Sequence, residues 1–95
     1  MLRAKPPHWM MYKAILGPQA KKFLKKADSV VKKRIVNEIR ELEQNPFPQE
    51  IERVVSRKGR PAFRTRVGDW RVQYVVLRES SEILVFKIEK RPRAY

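Results

Sequence analysis

The stretch Ala62-Phe63-Arg64-Thr65-Arg66-Val67-Gly68-Asp69-Trp70-Arg71-Val72-Gln73-Tyr74 decides how this chain folds. On both sides of Gly68-Asp69, apolar or small residues alternate with polar ones, the period of a strand with one buried face. Gly-Asp between two such runs suits a two-residue hairpin loop. That loop sets Val67 against Trp70, Arg66 against Arg71, Thr65 against Val72, Arg64 against Gln73 and Phe63 against Tyr74. One face then carries Phe63, Thr65, Val67, Trp70, Val72 and Tyr74 and suits a core. The other carries Arg64, Arg66, Arg71 and Gln73. Like charges directly opposite one another, as Arg66 and Arg71 are, cost up to about 1 kcal/mol. Selection for stability alone would place Glu or Thr at one of them. The planar guanidinium fork matches phosphate, so this face reads as an anion-binding surface. An ordinary solvated face would mix its signs.

Working outward, the polar Arg78-Glu79-Ser80-Ser81 separates strand 70–77 from strand 83–90. The alternation of Leu84, Phe86 and Ile88 places those three in the core. Val85, Lys87 and Glu89 then point with the arginines. This register requires an adjusting residue or bulge near Ser80-Ser81. Arg91 continues the parity of Lys87 and Glu89, and Pro92 ends the strand. Upstream, Lys58-Gly59-Arg60-Pro61 is a turn, and residues 51–56 form a short strand or extended arm.

Before Asn45-Pro46-Phe47-Pro48 the period is helical. Ala20, Phe23, Leu24 and Ala27 make one stripe and Val31, Ile35, Ile39 and Leu42 a second. Gly17-Pro18 opens the first helix and Asp28-Ser29 caps the second. The second begins basic (Lys32, Lys33, Arg34) and ends acidic (Glu38, Glu41, Glu43), against the helix dipole. Residues 11–16 read as a leading strand. The fold class is therefore α+β: an antiparallel sheet packed on an N-terminal two-helix hairpin, in the order β-α-α-β-β-β. Residues 11–95 are expected to form one domain. Residues 1–10, with Pro6, Pro7 and His8, read as a flexible N-terminal extension, and Met10 or Met11 are alternative starts.

Composition narrows the function. The 95 residues hold 23 Lys and Arg against 10 Asp and Glu, a net charge of +13. That imbalance points to a polyanionic partner, nucleic acid first. The charge is segregated: residues 57–95 net +7, residues 16–34 net +6, and residues 35–56 net −3. With no cysteine and one histidine, neither a Cys- or His-cluster metal site nor a thiol or Ser-His-Asp nucleophile is expected. Three glycines leave no Gly-rich phosphate loop. No apolar run is long enough to span a membrane and the first residues do not suit a signal peptide, so a cytoplasmic protein is expected. Membrane-surface binding is disfavoured because the apolar face of the lysine-rich first helix is needed for the core.

A basic strand, then Val-Gly-Asp-Trp-Arg-Val-Gln-Tyr, then an apolar strand ending in Lys-Arg and a late Tyr resembles the RelE/ParE superfamily of toxins, and the RelE branch more closely. The resemblance covers residues 11–95. It implies a type II toxin that enters the ribosomal A site, cleaves mRNA there, and is silenced by a RelB-like antitoxin in a hetero-oligomer. It assigns Arg71 to transition-state stabilisation and Arg91 to the leaving-group phosphate. Arg64 and Arg66 match basic positions on the second strand of the family. Tyr95 matches a tyrosine that stacks on a base and acts in proton transfer, although it stands closer to Arg91 than the family spacing. No cofactor or metal is implied. Candidates for RNA or ribosome contact are Lys21, Lys22, Lys25, Lys26, Lys32, Lys33, Arg60, Lys87, Lys90 and Arg93.

The chemistry has a gap. Arginines can stabilise added negative charge but cannot act as a base. With no histidine or carboxylate pair expected on the face, Tyr95 or Lys87 is left to move the proton. Two other readings stay open: a ParE-like gyrase poison, and an RNA- or ribosome-binding protein without catalysis.

Overall fold

The computed structural model describes residues 11–48 and 51–91. The expected extension at 1–10, and Arg93 and Tyr95, lie outside the described residues. The elements are β1 (Lys13–Leu16), α1 (Pro18–Lys26), α2 (Ser29–Gln44), β2 (Glu52–Arg57), β3 (Arg60–Val67), β4 (Trp70–Leu77) and β5 (Glu82–Lys90), with a 3-10 turn at Arg78–Ser80. The five strands lie in the order β1-β5-β4-β3-β2. Strands β2 to β5 run antiparallel, and β1 joins the far edge parallel to β5. The helix pair crosses from β1 on one edge to β2 on the other, which a parallel β1 on β5 allows.

The two helical stripes and the inner sheet face make the core. Ala20, Leu24, Ile35, Ile39 and Leu42 are buried against Val67, Val72, Tyr74, Ile83, Val85 and Ile88, with Phe23, Val31, Phe63 and Trp70 partly buried around them. Pro18 starts α1, and Asp28 caps α2 by accepting a hydrogen bond from Val31 N–H at 3.0 Å. Tyr74 donates its hydroxyl to the Pro46 carbonyl at 2.8 Å, fastening the end of the helical hairpin to the sheet.

The β3–β4 hairpin has the expected register at all five pairs, from Val67↔Trp70 to Phe63↔Tyr74. Gly68 supplies φ +59° at the first loop position. The last strand departs from expectation. Gln73 pairs with Lys87 but Tyr74 pairs with Val85, so Phe86 is inserted as a bulge within β5. Ile83 and Val85 therefore point into the core, as does Ile88 beyond the bulge. Leu84 and Phe86, expected inside, are half-buried, with Leu84 opposite Val75 on the outer face. The adjustment lies mid-strand, not at Ser80-Ser81, because only there can both halves of β5 bury their apolar residues.

Two contacts brace β5 at this point. Gly17 N–H donates to the Val85 carbonyl at 2.8 Å, and a Cβ at Gly17 would stand 3.3 Å from that oxygen. Beyond the end of β1, the Gln19 side chain donates to the Ile88 carbonyl and accepts from Ile88 N–H, both at 2.8 Å. One side chain thus occupies the strand edge that β1 is too short to cover.

Candidate functional site

The outer sheet face has two zones. Towards one end, Val54, Ala62, Val75, Leu84 and Ile15 line up across all five strands as an apolar row. Towards the hairpin tip lie Arg64 and Arg66 of β3, Arg71 and Gln73 of β4, and Lys87 and Glu89 of β5. Register sets Arg66 opposite Arg71, Arg71 opposite Glu89, and Gln73 opposite Lys87. Three of the five residues proposed for catalysis therefore sit together. Arg91 follows β5 and is exposed; its N–H donates to the Asp69 carbonyl at 2.7 Å, placing it beside the tip. Tyr95 lies outside the described residues.

This face carries two carboxylates, where none of the paired kind was expected. Glu52 of β2 stands opposite Arg64. Its Oε1 accepts from Arg64 Nε at 3.0 Å and lies 3.0 Å from Arg64 Nη2 and 3.6 Å from Arg66 Nη2. The hydrogen bond from Arg64, with the charges of Arg64, Arg66 and Arg71, holds the Glu52 carboxyl below its ordinary range. Glu52 was overlooked because its orientation depends on a bulge between Val54 and Arg57. With no bulge, the two-residue turn would set Glu52 opposite Thr65, on the core side. No simple period reveals that inserted residue.

Glu89 is the second carboxylate. It accepts from Gln73 Nε2 at 2.7 Å, and its other oxygen lies 3.4 Å from Lys87 Nζ. Between the two acids, Arg71 has neither. Its Nε is buried and has no hydrogen-bond partner among the described residues. A buried unpaired donor costs about 1–3 kcal/mol, and Arg71 bears that cost at the centre of a cationic face.

The other basic candidates are dispersed. Lys21, Lys22, Lys25, Lys26, Lys32 and Lys33 are exposed on the helices. Lys90 pairs in register with Trp70 and alternates away from the arginine face. Arg60 is at the far end of β3, six residues and roughly 20 Å from Arg66, tied to Glu79 at 3.0 Å. Sequence reasoning also missed Arg34. Its guanidinium packs over Gly68, where a Cβ would meet Nη2 at 3.0 Å, so the basic start of α2 reaches the hairpin tip. On the helix side, Phe23, Ala27, Val31 and Trp70 line a groove of about 340 Å³ rimmed by Lys22 and Lys26. Phe23 meets Trp70 edge-on with ring centroids 5.1 Å apart. Among the described residues, no group of three or more His, Cys, Asp or Glu is placed to hold a metal ion. No helix among them is long and apolar enough to cross a membrane.

An arginine-rich sheet face backed by a helical hairpin is the architecture of a small toxin class. Residues 14–95 match the family described as the ParE toxin of type II toxin-antitoxin systems, parDE. The chain belongs to this toxin family. The relatives it resembles carry the name RelE. It is 41% identical over 58 residues to a protein of Methanocaldococcus jannaschii described as toxin RelE1; the match spans 60% of this chain and 64% of that one. It is similar to the archaeal RelE in a RelE–RelB complex from Pyrococcus horikoshii OT3, with a TM-score of 0.77 and 27% identity over 90% of this chain and all of that one. Isolated E. coli RelE shares the fold, with a TM-score of 0.70 at 19% identity, over 87% of each chain.

Proposed function

We propose that this chain is a ribosome-dependent mRNA endonuclease that cuts the message in the A site and arrests translation. The observation that carries the reading is Arg71, set between Arg66 and Glu89 with its Nε unpartnered among the described residues, on a face shared with Arg64, Lys87 and the end strand leading to Arg91. Attack by a ribose 2′-hydroxyl on the adjacent phosphate builds negative charge on the phosphoryl oxygens. Arg71, with Arg64 and Arg66 beside it, supplies fixed donors for that charge, and Arg91 is assigned to the leaving side. No metal or cofactor is invoked in this scheme. Tyr95 is assigned to base stacking, and the exposed lysines of α1 and α2 to ribosomal RNA.

The reading includes a RelB-like antitoxin and a cytoplasmic setting. The archaeal RelE to which this chain is similar was crystallised with RelB. The two-zone outer face, an apolar row beside a cationic field, suits an acidic, partly apolar segment that folds on binding. The groove between Lys22 and Lys26 offers the same combination on the helix side.

The test is a translating lysate programmed with one defined message, with 5′ ends mapped after the protein is added. Cuts confined to A-site codons, absent without ribosomes and absent with Arg71→Ala, are expected. A gyrase-poison reading is favoured by the description of the matching family. It predicts an intact message, normal translation and a DNA-damage response. Stalled translation on an intact message would instead mark a ribosome binder without catalysis.

A further inference from the structure

Arginine cannot accept a proton, so the proposed cleavage lacks a base and an acid on the arginine face. We infer that Glu89 and Lys87 are that pair: Glu89 takes the proton from the 2′-hydroxyl and Lys87 delivers one to the departing 5′-oxygen. The inference rests on the endonuclease reading above.

The geometry selects Glu89 over Glu52. Glu52 is engaged by two arginines through one oxygen, and their hydrogen bond and charges favour its ionised form. Glu89 stands directly opposite Arg71, which puts their Cβ atoms about 5 Å apart on the same face. A phosphate seated on Arg71 thus lies beside the Glu89 carboxylate. The amide of Gln73 fixes that carboxylate at 2.7 Å without donating a charge to it. A carboxylate has about four acceptor positions, so Glu89 keeps room for a hydroxyl. The charged groups facing it are Arg71 from β4, and Lys87 and Arg91 along its own strand. Strand β1 ends at Leu16, opposite Val85, and brings none.

The step balances. Glu89 accepts the 2′-proton as O2′ bonds to phosphorus. The P–O5′ bond breaks, and O5′ takes a proton from the Lys87 ammonium. The products are a 2′,3′-cyclic phosphate and a 5′-hydroxyl. Neutral Lys87 and protonated Glu89 then exchange a proton across their 3.4 Å contact and regain their starting states. Protein-side proton bookkeeping closes without solvent.

The experiment is single-turnover cleavage of a defined message on purified stalled ribosomes, with ribosome binding measured in parallel. Variants are Glu89→Gln, Glu89→Asp, Lys87→Ala and, as a distant control, Glu79→Gln. Glu89→Gln is expected to slow cleavage by about 10²-fold or more, with binding unchanged. Its pH–rate profile should lack the acidic limb expected of the wild type, while Glu89→Asp keeps that limb at a reduced rate. Lys87→Ala should remove the alkaline limb. Glu79→Gln should match the wild type. A Glu89→Gln rate equal to the wild type overturns the assignment, and so does a slow Glu89→Gln with an unaltered pH profile. If Glu89→Gln does not fold, loss of the acidic limb in Glu89→Asp overturns it equally. An inactive wild type removes the endonuclease reading itself, and the inference with it.

Discussion

Arg71 is costly where it stands. Its Nε is buried without a partner among the described residues, and a second arginine lies directly across the strand pair. Replacing it with a strand-forming residue of no charge relieves both penalties. Arg71→Thr should therefore raise stability by up to about 1 kcal/mol while abolishing cleavage, read by urea denaturation and the message assay together. Loss of both would mean that Arg71 holds the fold. Glu38 tells the same kind of story at the half-buried edge of the core. Its carboxyl accepts from Thr65 Oγ1 at 3.0 Å, yet burial pushes its pKa up, with Glu41 adding to the effect. A raised folded-state pKa favours the folded state at low pH. That advantage is lost as pH rises from the ordinary carboxylate range through the folded value. Glu38→Gln should be more stable than wild type at pH 7, with the gap closing below pH about 4. Parallel melts over that range check the sign.

At the level of elements, β5 carries half of the site on a strand edge left bare by a short β1. Gln19 fills that edge with two hydrogen bonds to Ile88. Gln19→Ala leaves two backbone groups without partners and should cost roughly 1–2 kcal/mol. It should also raise hydrogen exchange at Lys87 and Glu89 before the core opens. Helix α2 makes the opposite trade, with no acidic residue in its first turn and no basic one in its last. Lys32→Glu should gain about 0.3 kcal/mol of stability and weaken ribosome association. Stronger binding by that variant would show that the basic start of α2 does not face RNA. The hairpin was fully legible from sequence, because Gly68-Asp69 fixes its register and alternation fixes its faces. Strand β5 was legible only in part. Its apolar residues fit one frame before Phe86 and another after it, and alternation can be counted only within a frame.

The whole molecule is a cationic body whose acidic residues are placed locally. The face that lies opposite the helices contains Glu52 as well as the expected Glu89 among its arginines, so the expectation that it holds no pair of carboxylates needs correcting. The net charge of +13 nevertheless dominates at a distance. Association with ribosomes should weaken steeply with salt, with a slope near −0.7 per phosphate contacted on single-stranded RNA. Titration between low and physiological salt measures it. The single-turnover cleavage rate at saturating protein should change far less, because the proposed cleavage sets the charges at Arg71 within contact distance of the reacting group, inside one screening length. A cleavage rate that falls in step with binding would place the catalytic arginines outside the reacting contact. Why Glu52 escaped the sequence reading is physical: it is aimed by a strand irregularity, which is not a property of composition; Glu89 was legible on this face from alternation along its strand.

The bulge between Val54 and Arg57 makes length, not residue type, decide which way Glu52 points. In a strand, gaining one paired position swaps the two faces. A one-residue insertion there, taken up by pairing, would turn Glu52 inward to face Thr65 and bring its neighbour Arg53 out beside Arg64 and Arg66. The patch would lose one of its two acids and gain a cation in one mutational event, with every arginine proposed for catalysis untouched. For such a chain, a change of length in an edge strand is a route to new charge at an old site, and point substitutions would explore it far more slowly.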